Sequence, residues 1–493
     1  MIQLIERASY YTNQLAIIAE GQTFTYQQLL ERSRSIARYL LDGKADLDGA
    51  RIVFMVTPGF DYVAIQWGIW LAGGVAVPLN PGSPIVVSAY VIADTAAEMV
   101  IASVPYQDLF HDYCGSQGIA LKEPVALDSP MGELPTVEVY RNAMILYTSG
   151  TTGKPKGVVT THINIQSQIT SLVQAWDWSA NDHILNVLPL HHVHGIINVL
   201  GCALWSGATC EFLNKFDSKN VFEILSKESM TLFMAVPTIY HQLIQYWESL
   251  ADIDRKRISM ALSKLRLMVS GSAALPVSVL EKWKALSGQT LLERYGMTEI
   301  GMAISNPYVG TRRPGYIGAA LPGVKVRIVD EQFKDLIDEA QGEILVKGPG
   351  VFKEYWGLPE ATKDSFTLDG WFKTGDIAFS KNGDYKIVGR SSVDIIKSGG
   401  YKISALEIEE VLRSYGEIAD CAVLGLPNEE WGELIVAVIV PKRDASLKEK
   451  KLDEWMRTQL PKYKIPRTYL FLKELPRNAM GKVVKKELAK SIL

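Results

Sequence analysis

Short apolar runs alternate, along the first two thirds of this chain, with stretches whose apolar residues recur at helical spacing. Arg51-Ile52-Val53-Phe54-Met55-Val56 and Met99-Val100-Ile101 are of the first kind, and residues 26–41 and 62–72 are of the second. A run apolar on both sides fits a strand covered on both faces, and a helix between two such strands lets them lie parallel. The pattern returns at Leu185-Asn186-Val187-Leu188, Leu232-Phe233-Met234-Ala235-Val236 and Leu265-Arg266-Leu267-Met268-Val269, each followed by Pro or Gly and a helical segment. It predicts an α/β fold of mostly parallel sheets with helices. From about Pro322 strands come at short spacing (Val324-Lys325-Val326-Arg327-Ile328-Val329, Gly342-Glu343-Ile344-Leu345-Val346), which predicts a β subdomain over about 322–389. Beyond Gly389-Arg390 the sequence reads as a compact α+β unit. With 493 residues the chain is too long for one core, so the expected division is a large N-terminal domain, 1–389, and a small mobile C-terminal domain, 390–493.

A hydrophobic share of 47%, a charged share of 21% and a net charge of −3 fit a soluble globular protein and leave no basic footprint for nucleic acid. Cys114, Cys202, Cys210 and Cys421 are scattered without a Cys-x-x-Cys pair. They read as reduced thiols, which predicts a cytoplasmic protein. No signal peptide or membrane span is expected, since residues 1–7 lack a long apolar run and the apolar stretch 184–201 is broken by Pro189 and three histidines.

Tyr147-Thr148-Ser149-Gly150-Thr151-Thr152-Gly153-Lys154-Pro155-Lys156-Gly157 follows the short apolar run Met144-Ile145-Leu146. Glycines let successive backbone N–H groups turn toward an anion, and hydroxyls and lysines add donors and charge, so the segment suits phosphate. Its spacing fails the Gly-x-x-x-x-Gly-Lys-Ser/Thr pattern. Four more segments follow in order: Tyr295-Gly296-Met297-Thr298-Glu299, Trp371-Phe372-Lys373-Thr374-Gly375-Asp376, Gly389-Arg390 to Gly399-Gly400, and Pro476-Arg477-Asn478-Ala479-Met480-Gly481-Lys482.

Taken together, these segments resemble the core motifs of the adenylate-forming superfamily, which includes acyl-CoA synthetases, luciferases and peptide-synthetase adenylation domains. The resemblance covers nearly the whole chain. It implies activation of a carboxylic acid with ATP, Mg²⁺ as cofactor, and CoA as second substrate. Thr148, Ser149, Gly150, Thr151, Thr152 and Lys156 would hold the β- and γ-phosphates, and Thr298 the α-phosphate. Glu299 would sit in the Mg²⁺ shell, a hard ligand for a hard ion. Tyr295 would stack on adenine, and Asp376, with Arg390 nearby, would accept from the ribose hydroxyls. Lys482 would place one charge near the carboxylate and the α-phosphate. Gly399 and Gly400 would line the CoA-accepting face, and Ser392 stands at the hinge position, where many relatives carry Asp or Lys.

His191-His192-Val193-His194 invites a metal reading, but no Cys or carboxylate of matching spacing accompanies it. The resemblance casts His192 at the acid site and leaves His191 or His194 structural. Arg294, just ahead of Tyr295, is costly to bury unless it meets an anion, and a second carboxylate on the substrate would supply one. A neighbouring protein acid is the competing partner. The segments around His191, Pro237, Ser270 and Arg294 are similar to those of malonyl-CoA synthetases, including mitochondrial-type members. That similarity implies malonate, with methylmalonate as a second substrate, bound by His192, Ser270 and Arg294. The alternatives are a short- or medium-chain synthetase of different acid specificity and a nucleotide-binding protein without catalysis. The expected partners are small molecules, with no nucleic acid and no membrane; oligomeric state stays open.

Overall fold

The strand Arg51–Met55 shows why the parallel sheets form: Ile52, Val53, Phe54 and Met55 are each at most 2% exposed, so both faces are covered. The computed structural model describes residues 2–126, 128–129, 132–148, 154–443, 445, 447–478 and 481–492. In it, Arg51–Met55 pairs in parallel with Val75–Pro78 and Met99–Ala102, and Ala120–Lys122 extends that side. On the other side Asn142–Thr148 joins Val75–Pro78 in parallel, and the chain doubles back antiparallel as Lys156–Thr161. The edge beyond is Glu354–Tyr355, which arrives from far along the chain.

The second sheet carries six strands in consecutive parallel pairing, in the order Leu292–Met297, Leu267–Ser270, Leu232–Ala235, His183–Asn186, Thr209–Phe212, Leu15–Ala19, with antiparallel strands at both edges. One apolar cluster takes side chains from both sheets and from the helices Tyr26–Leu41, Phe60–Leu71 and His162–Ala175. Phe60–Leu71 is buried almost all round, as an apolar helix between two layers must be. Thr25 and Gln28 form a capping box that starts Tyr26–Leu41, and Thr161 with Asn164 does the same for His162–Ala175.

Two expected strands differ at their ends, for local reasons. The strand at 183 stops at Asn186, whose side chain accepts from Leu188 N at 2.9 Å and turns the chain. The strand near 265 starts at Leu267, because Leu265 closes a turn on Leu262 and Arg266 is drawn to Asp182 at 2.7 Å. After the turn, residues His194–Gly201 form a π-helix, a geometry the apolar pattern does not announce.

Lys325–Val329, Gln341–Lys347, Phe372–Lys381 and Asp384–Arg390 form a separate antiparallel sheet. The last sheet begins at Ile395–Ser398 and is covered by the helices Ala405–Ser414 and Glu449–Gln459. Its first hairpin turns through Gly399 and Gly400, at φ +56° and +82°, the left-handed pair that a two-residue turn requires. This C-terminal part touches the large domain directly: Glu410 accepts from Val277 N at 3.0 Å. A Cβ on Gly481 would come within 2.6 Å of Thr238 Oγ1, so the Gly481-Lys482 turn lies against the helix Pro237–Glu248. No helix among the described residues is long and apolar enough to cross a membrane.

Candidate active site

The strand Leu292–Met297 delivers alternate side chains to opposite sides. Tyr295 donates its hydroxyl to Asp376 at 2.6 Å. Asp376 sits opposite Arg390 in the antiparallel pair, with Arg390 Nε 3.6 Å from its carboxylate and Arg390 Nη2 donating to Thr374 O at 3.1 Å. Burial raises the Asp376 pKa, while the Arg390 charge and the Tyr295 hydroxyl oppose that shift. The result is a half-buried carboxylate already held by one donor and one cation, with its position fixed by backbone register.

Thr298 lies in the turn after the strand, half-buried, and Glu299 follows it, buried. Tyr355 donates to Glu299 Oε1 at 2.9 Å, and burial lifts the Glu299 pKa above the usual carboxylate range. The strands on either side of the phosphate-type segment are paired, with Thr148 opposite Lys156. Ser149, Gly150, Thr151 and Thr152 lie outside the described residues. Lys156 Nζ stands 5.0 Å above the Tyr355 ring, so loop and Glu299 meet through that side chain. Among the described residues no group of three or more His, Cys, Asp or Glu side chains is arranged to hold a metal ion. A hard carboxylate such as Glu299 suits Mg²⁺, which takes one or two carboxylates and fills its shell with water and substrate phosphates.

Arg294 points to the other side of its strand from Glu293. It is 5% exposed, and among the described residues its Nε has no hydrogen-bond partner. Its guanidinium reaches Ser272 Oγ through Nη2 at 3.4 Å. Burial alone pulls its pKa down, to about 9. The competing reading, pairing with a protein acid, is not what the geometry gives: Glu293 instead accepts from Gly315 N at 3.2 Å and is pushed up to about 8 by burial. Ser272 Oγ also lies 3.1 Å from His194 Nδ1, and the Arg294 charge helps burial keep that imidazole neutral. The guanidinium lies flat across Gly271, where a Cβ would meet Cζ at 2.4 Å. Ser270, expected at the acid, ends its strand with a buried hydroxyl that has no partner among the described residues. His192 is half-buried and held neutral by burial, its pKa about 4, with its ring 4.2 Å from that of His191. The histidine tied to Arg294 is therefore His194, which the sequence leaves among the structural ones.

Lys482 is exposed, and its charge reaches both Asp376 and Asp394, acting to lower the pKa of each. Ser392 is exposed just beyond Ser391, whose N–H donates to Gly375 O at 2.9 Å. Gly399 and Gly400 are exposed at their hairpin tip, on the same small domain as Lys482. Tyr355, Ser272 and His194 are not found by motif. Each acts through a contact between segments distant in sequence, and only the Tyr355-Trp356 pair, directly before Gly357, hints at a packed turn.

This arrangement defines an enzyme that binds AMP-type nucleotides, and the family comparison agrees. The model of the AMP-binding enzyme family matches residues 4–356, and that of the AMP-binding enzyme C-terminal domain matches residues 407–482. The chain belongs to this family. It is 44% identical over 527 residues to the malonate–CoA ligase ACSF3, mitochondrial, of Bos taurus, covering 99% of this chain and 89% of the relative. Among solved structures, ATP-bound MatB from Rhodopseudomonas palustris superimposes with a TM-score of 0.91 at 32% identity, over 99% of this chain and 98% of that one. O-succinylbenzoate coenzyme A synthetase from Bacillus subtilis, in complex with ATP and magnesium ion, gives 0.85 at 26% identity, over 99% and 98%. The Bos taurus relative is named as mitochondrial, which corrects the cytoplasmic location expected from the sequence. The physical reason is simple. Four buried free thiols are compatible with any reducing compartment, and the cytosol is only one of those.

Proposed function

We propose that this chain is a malonate–CoA ligase that joins malonate, ATP and CoA to give malonyl-CoA, AMP and pyrophosphate. A malonate carboxylate oxygen attacks the α-phosphorus, the bond to pyrophosphate breaks, and malonyl-AMP forms. The CoA thiol then attacks the acyl carbon and AMP leaves. The observation that carries the choice of acid is Arg294, a buried guanidinium with an unpartnered Nε and no carboxylate of the protein paired with it among the described residues. A charge so placed is costly until an anion meets it, and the distal carboxylate of a diacid is such an anion, flanked by Ser272 and His194. The similarity to the malonate–CoA ligase ACSF3 points the same way. Methylmalonate adds one methyl group and keeps both carboxylates, so it is the natural second substrate.

The remaining roles rest on position. Asp376, with Arg390 behind it, accepts from the ribose, and Tyr295 covers the adenine. Lys156 and the loop at 148–152 hold the outer phosphates, with Thr298 at the α-phosphate. When bound, Mg²⁺ would neutralise charge on the phosphates, held by Glu299. Lys482, on the small domain, brings its charge to the carboxylate and α-phosphate during adenylation. Rotation about Ser392 then presents Gly399 and Gly400 to the CoA thiol. The compartment the relatives support is the mitochondrion.

The test is a panel of acetate, malonate, methylmalonate, succinate and octanoate, scored by AMP formation in the presence of CoA. Malonate should lead, with methylmalonate second. Equal use of acetate or octanoate would overturn the assignment of the acid while leaving the ligase chemistry standing.

A further inference from the structure

Tyr355 lies where two parts of the site that come from different segments meet. The strand Glu354–Tyr355 adds to Lys156–Thr161 as the sheet edge, with Tyr355 opposite Val158. That pairing brings the ring beside the start of the strand leaving the phosphate-type loop, where Lys156 Nζ lies 5.0 Å from its centroid. The hydroxyl at the other end of the side chain donates to Glu299 Oε1 at 2.9 Å. The backbone of Tyr355 is fixed independently, its N–H donating to Thr362 Oγ1 at 2.9 Å, and its ring packs edge-on against Phe352 at 4.8 Å. The side chain is 9% exposed, so neither group has much freedom to swing away.

We propose that Tyr355 is a positioning residue that orients the Glu299 carboxylate for the divalent cation and couples that carboxylate to the Lys156 end of the phosphate loop. The inference rests on Glu299 being the metal carboxylate. A carboxylate that takes a cation through one oxygen needs its other oxygen held, because a free rotor gives up orientation each time the ion binds. The phenol supplies that hold at Oε1 and leaves Oε2 for the ion. The ring face adds attraction for the Lys156 ammonium, so loop cation and metal carboxylate share one rigid support.

The experiment is calorimetric titration of ATP into the full-length protein without malonate, once with MgCl₂ and once with EDTA, for the wild type, Tyr355→Phe, Glu299→Gln and the double variant. The ratio of the two affinities measures the tightening due to the metal and needs no turnover. Glu299→Gln should abolish most of that tightening. Tyr355→Phe keeps the ring under Lys156 and loses only the hydroxyl, so it should reduce the tightening about tenfold, the size of a hydrogen bond to a charged group, with ATP affinity in EDTA within twofold of the wild type. Combined with Glu299→Gln, Tyr355→Phe should add nothing. An unchanged metal effect in Tyr355→Phe overturns the proposal, as does an equal loss with and without the metal, which marks a packing role. An unchanged metal effect in Glu299→Gln removes the metal assignment itself, and the role of Tyr355 with it.

Discussion

Gly271 is small because Arg294 lies across it: the nearest guanidinium atom stands 2.4 Å from where a Cβ would be. Gly271→Ala must push the guanidinium from its place beside Ser272 and His194. Malonate should lose on the order of tenfold to a hundredfold in kcat/KM, as a displaced charge contact does, while butyrate, which has no distal carboxylate, should change little. Steady-state kinetics with both acids check this. At this scale the sequence is informative where a residue type is anomalous in itself. An arginine in an apolar-looking strand asks for an anion, and Asp376 and Glu299 are legible from their motifs. Ser272 and His194 are not, because their contact joins positions 78 apart, and Ser272 takes φ +71°, a conformation unusual for a residue with a side chain.

Glu293, on the same strand, faces away from Arg294 and is buried, its carboxyl pushed up to about 8 by burial. An unfolded glutamate titrates near 4.3, so between about pH 4.3 and 8 the folded state holds a proton that the unfolded state has lost. Its contribution to stability is present below the lower value and is lost as pH rises to the upper one, by at most about 1.4 kcal/mol per pH unit. Glu293→Gln keeps an acceptor for Gly315 N–H and does not titrate. Its melting temperature relative to the wild type should therefore rise between pH 5.5 and pH 8, followed by circular dichroism; a constant difference across that range would show that Glu293 is ionised in the fold. Elements are legible where periodicity is strong. Tyr26–Leu41 matches the expected stretch residue for residue, and the parallel sheets follow from runs apolar on both sides. Strand ends and the π-helix are not, since they depend on a side-chain cap at Asn186 and on packing at Gly195, where a Cβ would strike Pro189 O at 2.6 Å.

Across the whole molecule, the small domain sits with Glu410 bonded to Val277 N and with the Lys482 charge near enough to act on Asp376. The proposed reaction assigns this pose to the first half-reaction. Lys482→Ala should lower malonyl-AMP formation by roughly 3–4 kcal/mol, several hundredfold, and leave transfer from supplied malonyl-AMP to CoA within a few-fold of the wild type. Separate assays of the two half-reactions check the split, and equal loss in both would remove the role given to Lys482. The order of the motifs makes this two-part construction legible, whereas the pose of the small domain depends on contacts such as Gly481 with Thr238 that no local pattern encodes. The choice of malonate rests on Arg294 meeting the distal carboxylate, and the most direct measurement is the ratio of kcat/KM for malonate to that for butyrate in Arg294→Leu and in the wild type. Loss of a buried charge partner predicts a fall of about 2–5 kcal/mol for malonate, with butyrate used as well as before or better, so the ratio should drop by roughly thirtyfold or more. A ratio that stays constant, whether both activities fall together or neither changes, would contradict that pairing.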